Sequence, residues 1–517
     1  MFKFKEDGRE KLLVLLACCF ALFMAMLDNT VVNVALPTIQ RDLGSGVSGL
    51  QWIIDAYTIA FACLLLTGGI LGDRFGRKRL FLAGLAVFTL GSLLCAIAPS
   101  IGFLVLARAV QGIGASFLLP GSLAILTNRF EGPERAQAIG LWAGFSALAL
   151  ALGPTIGGLL VEKVSWQSVF YLNLPIGLAG LVVGWYVIKE SKASVARRVD
   201  VPGLVLGSLA LLTLVWGLVE SGSKGWTDPL VLASFAVAVG SGIAFVMVER
   251  RRAYPMLPLH FFREPTFAVA NFIALATSFA MFGTFFFASL FFQTARGYTS
   301  LEAGVRFLPM TCMVIVTAPL AGRLAGRVGS RLPMTIGLFL AGSGQLLLTQ
   351  LDVGSPYLFF VPCFILMGTG MGLTMAPMTA AVMSAVGPER AGLGSAVTNT
   401  AREVGGSLGI ALLGTLVTTR FAGRLAELLA TTPLTAEVRT AAVEAARSGA
   451  LAPAENLDPE QAAIVGRAVG EAFTAGFHLS MAIAWAVLWT GSFLAFRFVQ
   501  REPAPAEIRE AVPIAAD

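Results

Sequence analysis

Charge is what this 517-residue chain has least of: 13% of its residues are Asp, Glu, Lys or Arg, against roughly 25% in an ordinary soluble domain. Half the usual polar surface is therefore missing, which excludes a water-soluble enzyme, a nucleic-acid-binding protein and a disordered scaffold. Histidine is limited to His260 and His478, too few for a histidine-based metal centre. No G-x-x-x-x-G-K-[ST] loop occurs, which argues against ATP as an energy source. The six cysteines, Cys18, Cys19, Cys63, Cys95, Cys312 and Cys363, lie inside apolar runs and form no C-x-x-C pair. They read as small apolar residues, with no disulfide or ligand role.

Apolar residues fill the space that charge leaves. They make up 56% of the chain, with 56 glycines and a mean hydropathy of +0.78. Runs near the 20 residues needed to cross a bilayer recur from Leu12 to Phe498. Fourteen helices are expected, at 12–36, 49–71, 80–98, 101–127, 136–161, 167–188, 201–221, 229–249, 266–292, 300–321, 333–351, 355–384, 393–419 and 472–497. The start of the chain has the outline of a lipoprotein signal, with a charged segment followed by LLVLLAC (12–18). The apolar stretch continues unbroken through Met26, so a retained membrane helix is the expectation.

The distribution of Lys and Arg sets the orientation. With fourteen helices, 25 of the 37 basic residues fall in segments on the side of the N-terminus, nine on the other side, and Arg108, Arg306 and Arg402 within helices. Both termini are thus expected in the cytoplasm. The chain also repeats itself. GPERA stands at 132–136 and at 387–391, and GILGDRFGRK (69–78) has a worn copy in GRLAGRVGSR (322–331). The pair Gly112 and Gly114 is matched by Gly368 and Gly370 at a similar offset. Two related halves are a common plan for secondary transporters. The expected division is a six-helix bundle over 1–199, an inserted helix pair over 200–250, and a second six-helix bundle over 251–517. The second bundle includes an Ala-rich external excursion, 421–471.

Several motifs carry a resemblance. GDRFGRKR (72–79) places Asp73 and four basic residues in a tight turn, and looks like the cytoplasmic signature of the major facilitator superfamily. RAVQGIGA (108–115) is similar to that superfamily's helix-4 signature, with an arginine inside the membrane. ALALALGPTIGG (147–158) resembles the signature of drug:proton antiporters. LDNTVVNVALP (27–37) and SWQSVFYLNLPIG (165–177) resemble motifs of the fourteen-helix drug:proton antiporter family. The resemblance spans residues 10 to about 498. It implies an all-α polytopic membrane protein of the major facilitator fold in a bacterial cytoplasmic membrane. Asp73, Arg74 and Arg77 are then the expected cytoplasmic gate. The antiporter-type helix centres on Gly153, Pro154, Gly157 and Gly158, where Pro154 weakens the helix ladder and the glycines admit a close neighbour.

Ionisable residues inside a membrane are costly and usually functional. At about 1.5 Å per residue, Asp28 and Asp55 lie about 24 Å, and Arg108 about 28 Å, from the basic side. An arginine and two carboxylates at one depth are expected to share charge. Burial opposes ionisation and Arg108 favours it, a balance that lets a proton come and go. Glu403, near the midplane of the second half, is a further candidate for proton coupling. Glu302 and Arg306, spaced i, i+4, read as an interfacial ion pair. Among the phenylalanines of 279–292, Phe282 and Phe286, with Gln293 beyond them, are candidate lining for an apolar substrate cavity.

The expected function is a proton-coupled antiporter exporting hydrophobic, in some cases cationic, small molecules such as drugs or antibiotics. Export of lipids or of an endogenous metabolite, and nutrient:proton symport, are the alternatives. No enzyme activity, catalytic residue, metal or cofactor is expected, only protons as coupling ion. The expected partners are substrate, protons and membrane lipids, with no nucleic acid and a monomeric state.

Overall fold

The computed structural model describes residues 6–192, 199–252, 255–257, 259–386, 391–447 and 458–500. The second GPERA copy, apart from Ala391, and part of the excursion 421–471 lie outside the described residues. All regular structure among the described residues is helical. In chain order the helices are α1 (Glu6–Leu43), α2 (Val47–Phe75), α3 (Arg77–Ala96), α4 (Ile101–Arg129), α5 (Gly132–Lys163), α6 (Ser168–Tyr171) and α7 (Asn173–Val187). They continue with α8 (Val201–Lys224), α9 (Pro229–Arg251), α10 (Pro265–Leu290), α11 (Ser300–Arg306), α12 (Leu308–Val328), α13 (Arg331–Leu348), α14 (Tyr357–Val386), α15 (Ala391–Ala430), α16 (Ala436–Arg447) and α17 (Pro459–Phe498). Twelve membrane-length apolar spans occur among the described residues. Both α5 and α13, which carry the apolar runs expected at 136–161 and 333–351, pack among them.

The sequence repeat has a direct packing counterpart. A Cβ at Gly112 would lie 2.3 Å from the Tyr57 carbonyl oxygen, and one at Gly368 would lie 2.2 Å from that of Met310. Gly114 closes on Gly84 and Phe88, while Gly370 closes on Gly337 and Ala341. Tyr57 and Met310, like Gly84 and Gly337, stand 253 positions apart. Each G-x-G thus presses its own helix, α4 or α14, onto α2 and α3 or onto α12 and α13. Small residues allow helices to associate closely in lipid, where the hydrophobic effect supplies no force between them.

The helix pair α8 and α9 forms a hairpin on the outside of the bundle and leaves much of its apolar surface exposed, whereas α10 is enclosed almost throughout. It is α8 that bridges the halves, packing against both α2 and α15. The Thr415 hydroxyl of α15 donates to the Leu218 carbonyl of α8.

The described parts of the excursion 421–471 are largely helical. Here α15 runs on to Ala430, α16 follows, and α17 starts at Pro459, so that α15 and α17 reach 40 residues each. Alanine has the highest helix propensity, and an Ala-rich segment extends a helix past the point where hydropathy ends. Asp458 caps α17 by accepting from the Gln461 amide at 2.8 Å.

Candidate functional site

Two helices of the first half, α4 and α7, bring three polar side chains to Asp28 of α1. Arg108 of α4 donates through Nη1 to Asp28 Oδ2. Gln111, one helical turn further along α4, donates to Oδ1 at 2.8 Å, and Asn173 of α7 donates to the same oxygen at 2.9 Å. A second layer fixes these donors. Arg108 Nη1 also donates to Gln111 Oε1 at 2.6 Å, and its Nε to the Ile53 carbonyl at 2.9 Å. The Ser92 hydroxyl oxygen accepts from Gln111 at 2.8 Å and from Asn173 at 3.2 Å. The Tyr57 ring stacks 4.2 Å from the guanidinium carbon. Asp28, Arg108 and Gln111 are completely enclosed. A buried ion pair holds only when further hydrogen bonds satisfy its remaining lone pairs and protons, and this cluster meets that condition within one half of the molecule.

Asp55 is not part of the cluster, contrary to the shared charge expected from its depth. Depth along a helix does not fix the face, and Asp55 turns to the other half, where its Oδ1 accepts from the Ser407 hydroxyl of α15 at 2.7 Å. Its Oδ2 is buried without a hydrogen-bond partner. Glu403, one turn before Ser407 on α15, is also buried, and its Oε2 has no partner. Tyr57 lies within electrostatic range of Asp28, Arg108 and Glu403 together.

The seam between the halves is built from further bonds of this kind. Gln51 donates to the Ile410 and Ala411 carbonyls at 2.9 and 3.2 Å. Ser289 donates to the Asn33 carbonyl at 3.0 Å. That carbonyl is free for a reason legible in the chain: its helical partner would be the amide of residue 37, which is Pro37 and has no N–H. Gln293 donates to the Val34 carbonyl at 3.1 Å and accepts from Ser300 at 2.9 Å. Gln293 is thus a bridge across the seam. Phe286 is fully buried, and Phe282 packs where a Cβ at Gly406 would meet its ring at 2.8 Å.

The glycines of the antiporter-type helix act at two neighbours. On one side, a Cβ at Gly153 would lie 1.9 Å from the Thr30 hydroxyl, and one at Gly157 would lie 2.7 Å from the Val31 carbonyl. On the other, a Cβ at Gly158 would meet the Ser300 carbonyl at 2.4 Å, and one at Gly304 would meet the Pro154 carbonyl at 2.2 Å. The helix α5 therefore touches α1 within its own half and α11 across the seam. Beyond its apolar run, Glu162 accepts from the Leu301 amide at 3.2 Å. Its carboxyl is held below the ordinary range chiefly by the Thr299 hydroxyl, with the Leu301 amide and Lys163 adding to the effect. These contacts join the two halves at the end of the bundle opposite the start of α1.

At the basic end, Asp73, Arg74 and Arg77, the residues expected to form a gate, find partners within their own turn. Arg77 donates to Asp73 Oδ1 through Nε at 2.9 Å and Nη2 at 2.8 Å, and the Arg74 guanidinium lies over the Phe75 ring. Glu190, which sequence reasoning missed, fastens this turn. It accepts from the Lys78 and Arg79 amides at 3.1 and 3.3 Å, capping α3. Gly76 has φ +118, and a Cβ there would lie 2.7 Å from both Glu190 oxygens. The turn needs glycine for conformation and for space alike.

The pair expected between Glu302 and Arg306 is replaced by two separate arrangements. The Glu302 carboxylate accepts from the Thr299 amide at 3.0 Å in a capping box, while Arg306 donates to the Glu302 carbonyl at 2.8 Å. The Arg306 guanidinium sits 3.7 Å from the centre of the Tyr298 ring. An unsatisfied helix start competes for a carboxylate three residues in, and here it wins.

Membrane-length helices packed around buried ionisable groups are the plan of a membrane transporter. Comparison with known proteins gives the family: residues 18–410 match the model of the Major Facilitator Superfamily. The chain belongs to that superfamily. It is 35% identical over 495 residues to the tetracenomycin C resistance and export protein of Streptomyces glaucescens, covering 95% of this chain and 92% of that one. It is 38% identical over 412 residues to the multidrug resistance protein Stp of Mycobacterium tuberculosis, covering 79% and 76% of the two chains. The methylenomycin A resistance protein of Streptomyces coelicolor is 39% identical over 395 residues, with 76% and 83% covered. Among solved structures, a bacterial homologue of the human lysosomal transporter Spinster, inward-facing and occupied, superimposes with a TM-score of 0.65. That match covers 95% of this chain and 97% of the other at 17% identity, a likeness of fold. With bacterial relatives and many spans, the protein is a multi-pass inner-membrane transporter.

Proposed function

We propose that this protein is a proton-coupled antiporter that exports hydrophobic small molecules, antibiotics among them, through a fourteen-helix bundle with both termini in the cytoplasm. The basic end, where α1 starts, then faces the cytoplasm, and the contacts between α5 and α11 close the outer face. The observation that carries the reading is the Asp28–Arg108–Gln111–Asn173 cluster. A carboxylate held by three donors in the centre of an apolar bundle is costly, and its maintenance points to proton chemistry. The relatives named for antibiotic resistance and export support the substrate class. Protonation of Asp28 removes the charge that holds Arg108, while the carboxylates Asp55 and Glu403 at the seam carry the unpartnered oxygens available to a cationic or polar group of the substrate. Coupling follows when proton and substrate prefer different arrangements of the halves.

The test is dye or antibiotic uptake into everted vesicles energised by a pH difference. The wild type is expected to accumulate substrate and to stop on addition of a protonophore. Asp28→Asn is expected to leave folded protein in the membrane and to abolish proton-driven movement. Full activity of Asp28→Asn removes Asp28 from the mechanism.

A further inference from the structure

The helix pair α8 and α9 carries a second buried acidic site, separate from the Asp28 cluster. Asp200 caps α8, its Oδ1 accepting from the Gly203 amide at 3.0 Å. Glu249, in the last turn of α9, accepts from the Leu257 amide at 3.0 Å through Oε2. The remaining oxygen of each converges on one point: a Cβ at Gly203 would lie 2.4 Å from Glu249 Oε1 and 2.9 Å from Asp200 Oδ2. Glu249 is 3% and Asp200 6% exposed. These same two oxygens, Glu249 Oε1 and Asp200 Oδ2, are buried without a hydrogen-bond donor, although the two carboxyl groups are in side-chain contact with each other.

Ionised carboxylates only accept hydrogen bonds. Two buried acceptors facing each other with no donor between them are doubly penalised, by lost hydration and by like-charge repulsion. Among the described residues, Arg252 is ion-paired to the site, its Nε 3.9 Å from Asp200 Oδ1, the oxygen that also caps α8. Arg250 and Arg251 are exposed. The linker contributes the Leu257 and Met256 backbone amides to Glu249, and α2 reaches it through the Thr67 hydroxyl 4.0 Å from the Met256 sulfur. No group of three metal-ligating side chains occurs among the described residues.

We propose that Asp200 and Glu249 bind one proton between them, a proton site distinct from the Asp28 cluster that fastens the inserted pair to the linker leading into α10. One hydrogen satisfies both oxygens at once, as a carboxylic acid donating to a carboxylate. The missing side chain of Gly203 makes room for the pair. Loss of the proton leaves two adjacent charges, and the simplest relief is to give up the Glu249 bond to the Leu257 amide. The site therefore ties attachment of the linker to the acidity at the basic end of the bundle.

The full-length protein in nanodiscs tests this by infrared difference titration from about pH 6 to about pH 9, with thermal unfolding followed across the same range. A proton held in the folded state contributes stability that is present at low pH and lost as pH rises. The wild type is expected to lose a carboxylic-acid band that is absent from the Glu249→Gln variant, and to melt at progressively lower temperature on alkalinisation. Glu249→Gln, whose amide supplies a permanent donor, is expected to lack that band and to show a flatter melting profile than the wild type. Asp200→Asn provides the same test should the first variant not fold. The proposal is overturned if no acid band titrates in the wild type, or if the glutamine and asparagine variants keep the wild-type pH dependence. It is also overturned if sodium ions alone restore the wild type at high pH, which would mark a cation site.

Discussion

Replacing Gly304 by alanine should open the end of the transporter where α5 meets α11. The added Cβ would lie 2.2 Å from the Pro154 carbonyl oxygen and 2.9 Å from its carbon. Both are backbone atoms of a helix, with no flexible side chain to swing aside. Overpacking of this kind costs about 1–3 kcal/mol, which corresponds to roughly a 5- to 150-fold shift in a two-state equilibrium. The cost falls only on arrangements in which the halves touch at that end, so the population moves toward arrangements in which they part. Gly144→Ala in α5 is the control, since nothing lies within 4 Å of a Cβ there, and it carries the same gain in helix propensity of about 1 kcal/mol. Spin-label distances between α5 and α11 read the outcome. Gly304→Ala is expected to lengthen and broaden the distribution, and Gly144→Ala to leave it unchanged. A distribution identical to wild type in Gly304→Ala refutes the view that this contact holds the end shut.

Three further outcomes follow from the site. Arg108→Gln strands the Asp28 charge in an enclosed cluster and should destabilise the detergent-purified protein by about 3–5 kcal/mol; combining it with Asp28→Asn should recover most of the loss, a coupling that thermal unfolding measures. Glu190→Ala removes the cap of α3 at a cost of about 1 kcal/mol, seen as faster hydrogen exchange in 72–80 and slower transport, with substrate affinity retained. Glu162 keeps its charge to lower pH than an ordinary glutamate, so its hold on the Leu301 amide is present at neutral pH and lost as pH falls through that lowered value. The distance between α5 and α11 should therefore lengthen only on acidification to below the ordinary glutamate range, and Glu162→Gln should abolish that response.

Much of this arrangement was legible in the chain because a membrane leaves the backbone few choices. A helix satisfies every backbone group internally, so apolar runs located the spans, and the repeated G-x-G pairs marked the helices that press on their neighbours. Asp28 and Arg108 were identifiable from their cost, and Gln111 and Asn173 lay within motifs already singled out. The face that each residue presents was not legible. Asp55 shares a depth with Asp28 yet bonds to Ser407, because rotation about a helix axis changes the neighbour while the depth stays the same. Ser407 and Gln51 are ordinary polar residues with no pattern around them. Glu190 was hidden for another reason: it stands 112 positions from the amide it caps, and only the return of α7 to the α2–α3 turn brings them together.

The donors to Asp28 all come from its own half, yet the helix that bears it also supplies the Asn33 and Val34 carbonyls to Ser289 and Gln293. Five residues separate Asp28 from Asn33, about 7.5 Å of continuous helix. If Asp28 changes charge as proposed, a rod too short to bend appreciably would carry the effect to the second. In mechanical terms, α1 is a crank: torque applied at one notch turns the teeth engaged with the opposing wheel, and no longer relay of side chains is needed.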